Sequence, residues 1–233
     1  APLCSVDRRG AAVQPGPMTA ARTSVADKRQ AFHRLHADGC FVIPNPWDVG
    51  SARMLQSMGF PALATTSSGL AWALGRPDNG ISLEMALAHL AELVEATDVP
   101  VNADFEDGFA SAPDDVATNV RAAVETGVAG LSVEDSTGRE DDPLYSVDDA
   151  VERIRAARRA IDATGGDTLL VARAEGLLWG RPSLDEIVVR LTSYASAGAD
   201  CLYAPGLRRP DDIARIVEAV APKPLNVLMA WPD

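Results

Sequence analysis

The chain has 233 residues, 47% of them hydrophobic, with a formal net charge of −12. That length suits one α/β barrel or a large doubly wound domain, and the apolar fraction is enough for a full core. No run of 18 apolar residues is present, and no basic stripe offsets the acidity, so a membrane span, an anionic membrane surface and nucleic acid are all poor expectations.

The elements follow in chain order. Residues 1–25 are rich in Ala, Pro, Gly and Arg and show no periodicity. They lack the apolar centre of a secretory signal, so a disordered extension is expected there, with Met18 as a candidate start. Residues 26–233 are expected to form one barrel domain. From Phe41 a unit repeats: a short apolar run, a polar stretch, then an amphipathic segment ending near Gly. The candidate strands are Phe41–Asn45, Ala62–Ser67, Pro100–Glu106, Gly130–Asp135, Leu169–Ala174, Cys201–Ala204 and Leu225–Met229. They are short and mostly apolar, as buried parallel strands are.

Between the strands lie helix signals. Leu83, Leu87, Leu90 and Val94 fall on one helical face, with Ser82 placed to cap it. Asp48 and Ser51 can cap the helix after the first strand. Pro113 suits a first helical turn, Ser146 with Asp149 resembles a capping box, and Ser183 with Glu186 forms one. Gly59, Gly127 and Gly198 each stand at a helix exit shortly before a strand. Strand–helix alternation with short connections implies parallel βα units. Seven strands favour a (β/α)8 TIM-type barrel lacking the last strand–helix unit in this chain. A doubly wound sheet is weaker, because no G-x-G-x-x-G turn follows the first strand.

Barrel chemistry sits at the C-terminal strand ends. Those ends carry Asn45–Asp48, Thr66–Gly69, Asp104–Asp107, Glu134–Asp135, Arg173–Glu175 and Ala204–Gly206. Period-2 alternation places Asp104 and Glu106 on one strand face, and Glu134 follows on the next strand. Three converging acids raise one another's pKa unless a cation joins them, and hard oxygen ligands suit Mg2+ or Mn2+. The three histidines, His33, His36 and His89, lie on helical stretches, so neither zinc nor a histidine base is expected. The cysteines Cys4, Cys40 and Cys201 lack C-x-x-C spacing. Two adjoin apolar runs, which reads as buried free thiols in a reducing cytoplasm.

Together these segments resemble the isocitrate lyase/phosphoenolpyruvate mutase superfamily. The likeness runs from Phe41 to Met229. It rests on Asn45-Pro-Trp-Asp-Val-Gly-Ser-Ala-Arg53, Ser68-Gly-Leu70, Gly75-Arg-Pro-Asp78, Asp104-Phe-Glu-Asp-Gly-Phe109, Val133-Glu-Asp135, Val171-Ala-Arg-Ala-Glu175 and Gly198-Ala-Asp200. The resemblance implies an Mg2+-dependent lyase or mutase that acts on a small anionic 2-oxo acid through an enolate. It implies Asp104 as direct metal ligand, Glu106 acting through water, and Glu134 as the third acid of the metal shell. Asp78 would lie beside the metal and Arg173 would hold the substrate. Ser68, Gly69 and Leu70 would bind its carboxylate, and the protein would form a homo-oligomer.

One segment departs from the pattern. The superfamily's lyases carry Lys-(Lys/Arg)-Cys-Gly-His after the third acid, and its mutases place Lys and Asn there. Here the loop reads Ser136-Thr-Gly-Arg-Glu-Asp-Asp-Pro143. That detaches the chain from isocitrate and methylisocitrate cleavage. It leaves open a non-catalytic metal- and carboxylate-binding barrel, or a pyruvate-type aldolase. Simpler roles stand beside the functional ones: Asp78 as a turn residue before Asn79-Gly80, Arg173 as an ion-pair partner oriented by Glu175, Asp107 and Asp135 as strand-end pairing groups, and Trp47 and Trp72 as packing residues near the mouth.

Overall fold

A computed structural model describes residues 22–180 and 183–229. Most of the expected 1–25 extension, and Cys4 with it, lies outside the described residues. Helix α1 (Val25–Ala37) opens the fold, capped by the Ser24 side chain, which accepts from the Asp27 N–H. Then come α2 (Val49–Ser57), β1 (Leu63–Ala64), α3 (Ser67–Ala73), α4 (Leu83–Ala96), β2 (Val101–Asp104), α5 (Pro113–Glu125) and β3 (Gly130–Glu134). The remainder is α6 (Val147–Ala163), β4 (Leu169–Arg173), α7 (Leu184–Ser196), β5 (Cys201–Tyr203), α8 (Pro210–Val220) and β6 (Leu225–Asn226).

Among the described residues the strands form one six-stranded sheet in the order β1-β2-β3-β4-β5-β6, every pair parallel. Sequential order with helical crossovers is the barrel pattern. The sheet is a half-barrel of the expected TIM type, and no closing strand–helix unit lies among the described residues. The helix signals hold. Asp48 and Ser51 form a reciprocal capping box, Ser82, Ser146 and Ser183 cap α4, α6 and α7, and Pro113 sits at the start of α5. Gly59, Gly127 and Gly198 adopt φ of 89°, 92° and 110°, the left-handed conformation that ends a helix without a Cβ clash.

Three expectations need correction. Phe41–Asn45 is not a strand, although it lies along the sheet edge: the Ala64 N–H donates to Pro44 O at 3.0 Å, and Asn45 Nδ2 donates to Ala64 O. Pro44 and Pro46 remove two N–H donors there, so a regular ladder cannot form. Cys40 is exposed, and only Cys201 of the two described thiols is buried. Strand β2 stops at Asp104, so Glu106 lies beyond it with φ +46° and shares no strand face with Asp104.

The main core lies between the sheet and α4 to α8. Leu131, Leu170, Ala172 and Leu202 of the strands meet Val120, Ile161, Ile187, Leu191 and Ile216 of the helices. Helix α1 covers the opposite end from the acids. Phe32 packs on Ala62, Ala129 and Leu169 at the strand starts. Lys28 Nζ donates to Val94 O at 2.7 Å and Thr97 O at 2.5 Å, where α4 ends. Arg29 does the same for the end of α5, donating to Val124 O and Val128 O. Both side chains are buried, so cations here satisfy carbonyls that a helix C-terminus leaves unpaired. Among the described residues no helix is long and apolar enough to cross a membrane.

Candidate functional site

The parallel register assembles the site. Glu134 pairs with Arg173, and Arg173 pairs with Tyr203, so the ends of β3, β4 and β5 lie side by side. Asp104, last in β2, reaches the same point: its Oδ1 lies 3.4 Å from Arg173 Nη1. Arg173 Nε lies 3.3 Å from Glu134 Oε2 and donates to Glu175 Oε1. The guanidinium carbon stands 5.2 Å from the Tyr203 ring centroid. Arg173 is thus the hub, and Asp104, Glu134 and Glu175 converge on it.

Asp104 is held from its other side. Its Oδ2 accepts from the Ser67 N–H and the Ser67 hydroxyl, both at 2.9 Å, and its own N–H donates to the Thr65 hydroxyl at 2.8 Å. Glu106 is oriented by the backbone, where its carbonyl accepts from the Glu134 N–H at 2.9 Å. Its buried Oε1 has no hydrogen-bond partner. A buried carboxylate oxygen without a donor is costly unless protonated or joined to a cation.

The electrostatics follow from burial and from excess negative charge. Burial pushes the Glu106 carboxyl up to about 8, and Asp104, Asp107 and Asp78 add to this against Arg173. Burial likewise holds Glu134 well above the usual carboxylate range and raises Glu175, with Arg173 opposing in both. Burial works against the Arg173 charge too, but Glu134, Glu175 and Asp104 outweigh it, so the guanidinium stays protonated. One arginine among four acids leaves negative charge uncompensated, which raises the affinity of the pocket for protons or for a cation.

Among the described residues, no three His, Cys, Asp or Glu side chains are arranged as a ready metal cage. Mg2+ asks for less: it keeps several waters and takes one or two carboxylates together with its ligand. Asp104 and Glu106 are the carboxylates that would hold it, and the orphaned Glu106 oxygen is the atom that a cation or its water would satisfy. Glu134 faces Arg173, its nearest cation in the site.

The other expected residues fall out as follows. Ser68, Gly69 and Leu70 are the first turn of α3 rather than a free loop. Gly69 N–H donates to the Thr66 hydroxyl at 3.2 Å and Leu70 N–H to Thr66 O at 3.0 Å, while the Ser68 hydroxyl lies 3.1 Å from that of Thr66. Gly69 packs so closely that an added Cβ would sit 2.7 Å from the Trp47 ring. Trp47 and Trp72 are half exposed and meet edge to face at 5.8 Å. Asp78 lies in an exposed turn, its Oδ1 accepting from the Asn79 N–H, and reaches the site by its charge on Glu106. The 136–144 loop is a small hairpin closed by a Ser136–Leu144 bridge, with Arg139 paired to Asp142 at 2.5 Å.

Sequence reasoning underrated two buried networks behind the site. Asp135 accepts from the Glu175 N–H at 2.8 Å, Arg190 Nη1 at 3.0 Å and the Tyr194 hydroxyl at 2.6 Å. Arg153, stacked 4.0 Å from the Tyr145 ring, pairs with Asp107. The only available signal was an arginine amid the apolar positions of α6 and of α7.

With this geometry in place, comparisons with known proteins place the chain. Residues 32–233 match the family model described as phosphoenolpyruvate phosphomutase. An uncharacterized protein of Mycobacterium tuberculosis is 32% identical over 201 residues, covering 85% of this chain and 73% of the relative. Oxaloacetate decarboxylase of Pseudomonas entomophila is 31% identical over 227 residues, covering 91% of this chain and 74% of the relative. The crystal structure of a candidate lyase/mutase from Burkholderia cenocepacia superposes with a TM-score of 0.87 at 48% identity, covering 90% of this chain and 76% of that one.

Proposed function

The chain belongs to the phosphoenolpyruvate phosphomutase family, and from that premise we propose that it is an Mg2+-dependent lyase or mutase acting on a small 2-oxo carboxylate. The observation that carries this is the convergence of Asp104, Glu134 and Arg173 at three neighbouring strand ends, beside a buried Glu106 oxygen that lacks a partner. When bound, Mg2+ (or Mn2+) polarises the 2-oxo oxygen of the substrate. Asp104 and Glu106 would hold it. Arg173 then faces the oxygen on which enolate charge develops, and its positive charge, fixed in advance by Glu134 and Glu175, needs no reorganisation at that moment. Of the Ser68–Leu70 segment expected to receive the substrate carboxylate, Ser68 at the opening of α3 keeps a hydroxyl to offer, because the Gly69 and Leu70 N–H groups already donate to Thr66. Asp78 supports the site from the rim through its field.

The 136–144 loop narrows the chemistry. Its one cation, Arg139, is paired within the loop, so the loop offers no thiol, amine or imidazole to deliver a proton. Reactions in which C–C cleavage leaves an enolate that solvent protonates fit this best, in line with the oxaloacetate decarboxylase relative. The same observation favours a second reading, a barrel that binds metal and carboxylate without turnover. A panel of oxaloacetate, phosphonopyruvate and 2-methylisocitrate, assayed with Mg2+, separates them. Turnover of one member that is abolished in Asp104→Ala supports the enzyme, and no turnover of any member with oxalate still bound supports the binding protein. We further propose a homo-oligomer in the cytoplasm.

A further inference from the structure

The segment after the acids is unusually constrained. Glu106, Gly108 and Phe109 have φ of 46°, 81° and 53°, and two of these residues are not glycine. Left-handed backbone at such residues persists only where the surroundings over-determine it. Here they do, because every carbonyl from Glu106 to Ser111 except that of Asp107 accepts one hydrogen bond of ordinary length, and Asp107 O accepts one from Arg153 Nη2 as well. Glu106 O takes the Glu134 N–H. Gly108 O and Phe109 O take Asn119 Nδ2 of α5 at 2.9 and 3.3 Å. Arg153 Nη1 of α6 donates to Ala110 O at 2.7 Å and Ser111 O at 2.6 Å, and Nη2 to Asp107 O.

Arg153 is 1% exposed. A guanidinium buried this completely needs several acceptors in a fixed fork, which a lysine cannot satisfy. Its face stacks on Tyr145, whose hydroxyl donates to Asp107 Oδ2 at 3.3 Å. Tyr145 follows the 136–144 hairpin directly, and its N–H donates to Asp135 O. One buried arginine therefore ties the acid segment, α6 and the base of that hairpin together.

We infer that Arg153 and Asn119 are positioning residues: they grip the 107–111 carbonyls and so hold Glu106 in its left-handed conformation, its carboxylate set beside Asp104. This rests on the reading of Asp104 and Glu106 as the acids that hold Mg2+. Neither Arg153 nor Asn119 hydrogen-bonds to the Asp104 or Glu106 side chain; both donate to main-chain carbonyls. Their effect passes through the backbone. The donors sit on two long helices, so the segment is fixed before any ligand arrives, which is the preorganisation a precise site requires.

The test uses the full chain with Asn119→Ala, which removes two bonds and suits a helix, and Arg153→Lys. Amide exchange of residues 105–111 is measured in metal-free protein, and Mg2+ alone is titrated by calorimetry. The expected result is exchange about tenfold faster in 105–111 with residues 169–173 unchanged, and Mg2+ affinity weaker by about tenfold, more for Arg153→Lys. Unchanged exchange in 105–111 overturns the grip. Faster exchange with an unchanged Mg2+ dissociation constant overturns the positioning role, since the residues would then be merely structural. If Arg153→Lys fails to fold, Asn119→Ala decides alone. A wild-type chain that binds no Mg2+ would overturn the metal reading instead, and the exchange data would still judge the grip.

Discussion

Replacing Asp135 by Asn tests the buried scaffold behind the site. Asp135 is 2% exposed, and its two oxygens take three donors: the Glu175 N–H, Arg190 Nη1 and the Tyr194 hydroxyl. Arg190 is itself buried, so the substitution removes its buried counter-charge and leaves it only the more exposed Glu186, at 3.3 Å. Breaking one partner of such a pair costs about 3–5 kcal/mol. The Asn carbonyl can still accept one of the three donors, which places the expected loss near the lower bound, at about 3 kcal/mol. Tyr194→Phe removes one bond to the charged acceptor and should cost about 2 kcal/mol. Because both changes act on one carboxylate oxygen, the double variant should lose clearly less than their sum. Guanidinium unfolding followed by far-ultraviolet circular dichroism measures all three, with an unchanged slope showing that the denatured state is not altered. A loss below about 1 kcal/mol for Asp135→Asn, or strict additivity in the double variant, would refute the reasoning. The consequence reaches the site, because the Glu175 N–H that Asp135 holds sits two residues from Arg173.

Other outcomes follow from the same structure. Gly69→Ala places a Cβ 2.6 Å from Thr66 Cγ2 and 2.7 Å from Trp47, so thermal unfolding should show a loss of about 1–3 kcal/mol and tryptophan emission should shift. Lys28→Met leaves Val94 O and Thr97 O without their buried donor and should destabilise by about 2 kcal/mol in the same denaturant assay. The Cys201 thiol is pushed by burial from 9.0 up to about 12. A raised folded pKa means that stability is complete below pH 9 and is lost as pH climbs toward 12, at up to about 1.4 kcal/mol per pH unit, because the unfolded thiol ionises first. Unfolding measured between pH 8 and 10 should show that decline, and Cys201→Ala should flatten it. In the native protein a thiol reagent should modify the exposed Cys40 and spare Cys201.

Much of this was legible from residue pattern alone. Short apolar runs, serine caps and exit glycines are local signals, and the parallel sheet, the caps of α4, α6 and α7, and the strand-end position of Asp104, Glu134 and Arg173 follow from them. What depends on partners distant in sequence did not show. Phe41–Asn45 has strand composition, but Pro44 within it and Pro46 just after it deny it a ladder. Glu106 sits two residues after Asp104, where alternation puts both on one face; the chain leaves the strand at Asp104, and the turn that redirects Glu106 is held by α5, α6 and β3. Lys28 looks like a solvated helix position, and Arg153 is only an odd arginine amid apolar ones, until the helix ends and loop carbonyls they serve are brought to them.

Asp104, Glu106 and Arg173 are proposed to form an Mg2+ and 2-oxo carboxylate site. Calorimetric titration of oxalate, a planar dianion resembling a pyruvate enolate, tests it most directly. With Mg2+ present, oxalate should bind the wild-type chain, and binding should vanish when Mg2+ is removed and in folded Asp104→Ala. Oxalate binding that ignores Mg2+, or no binding by the folded wild-type chain, would contradict the account.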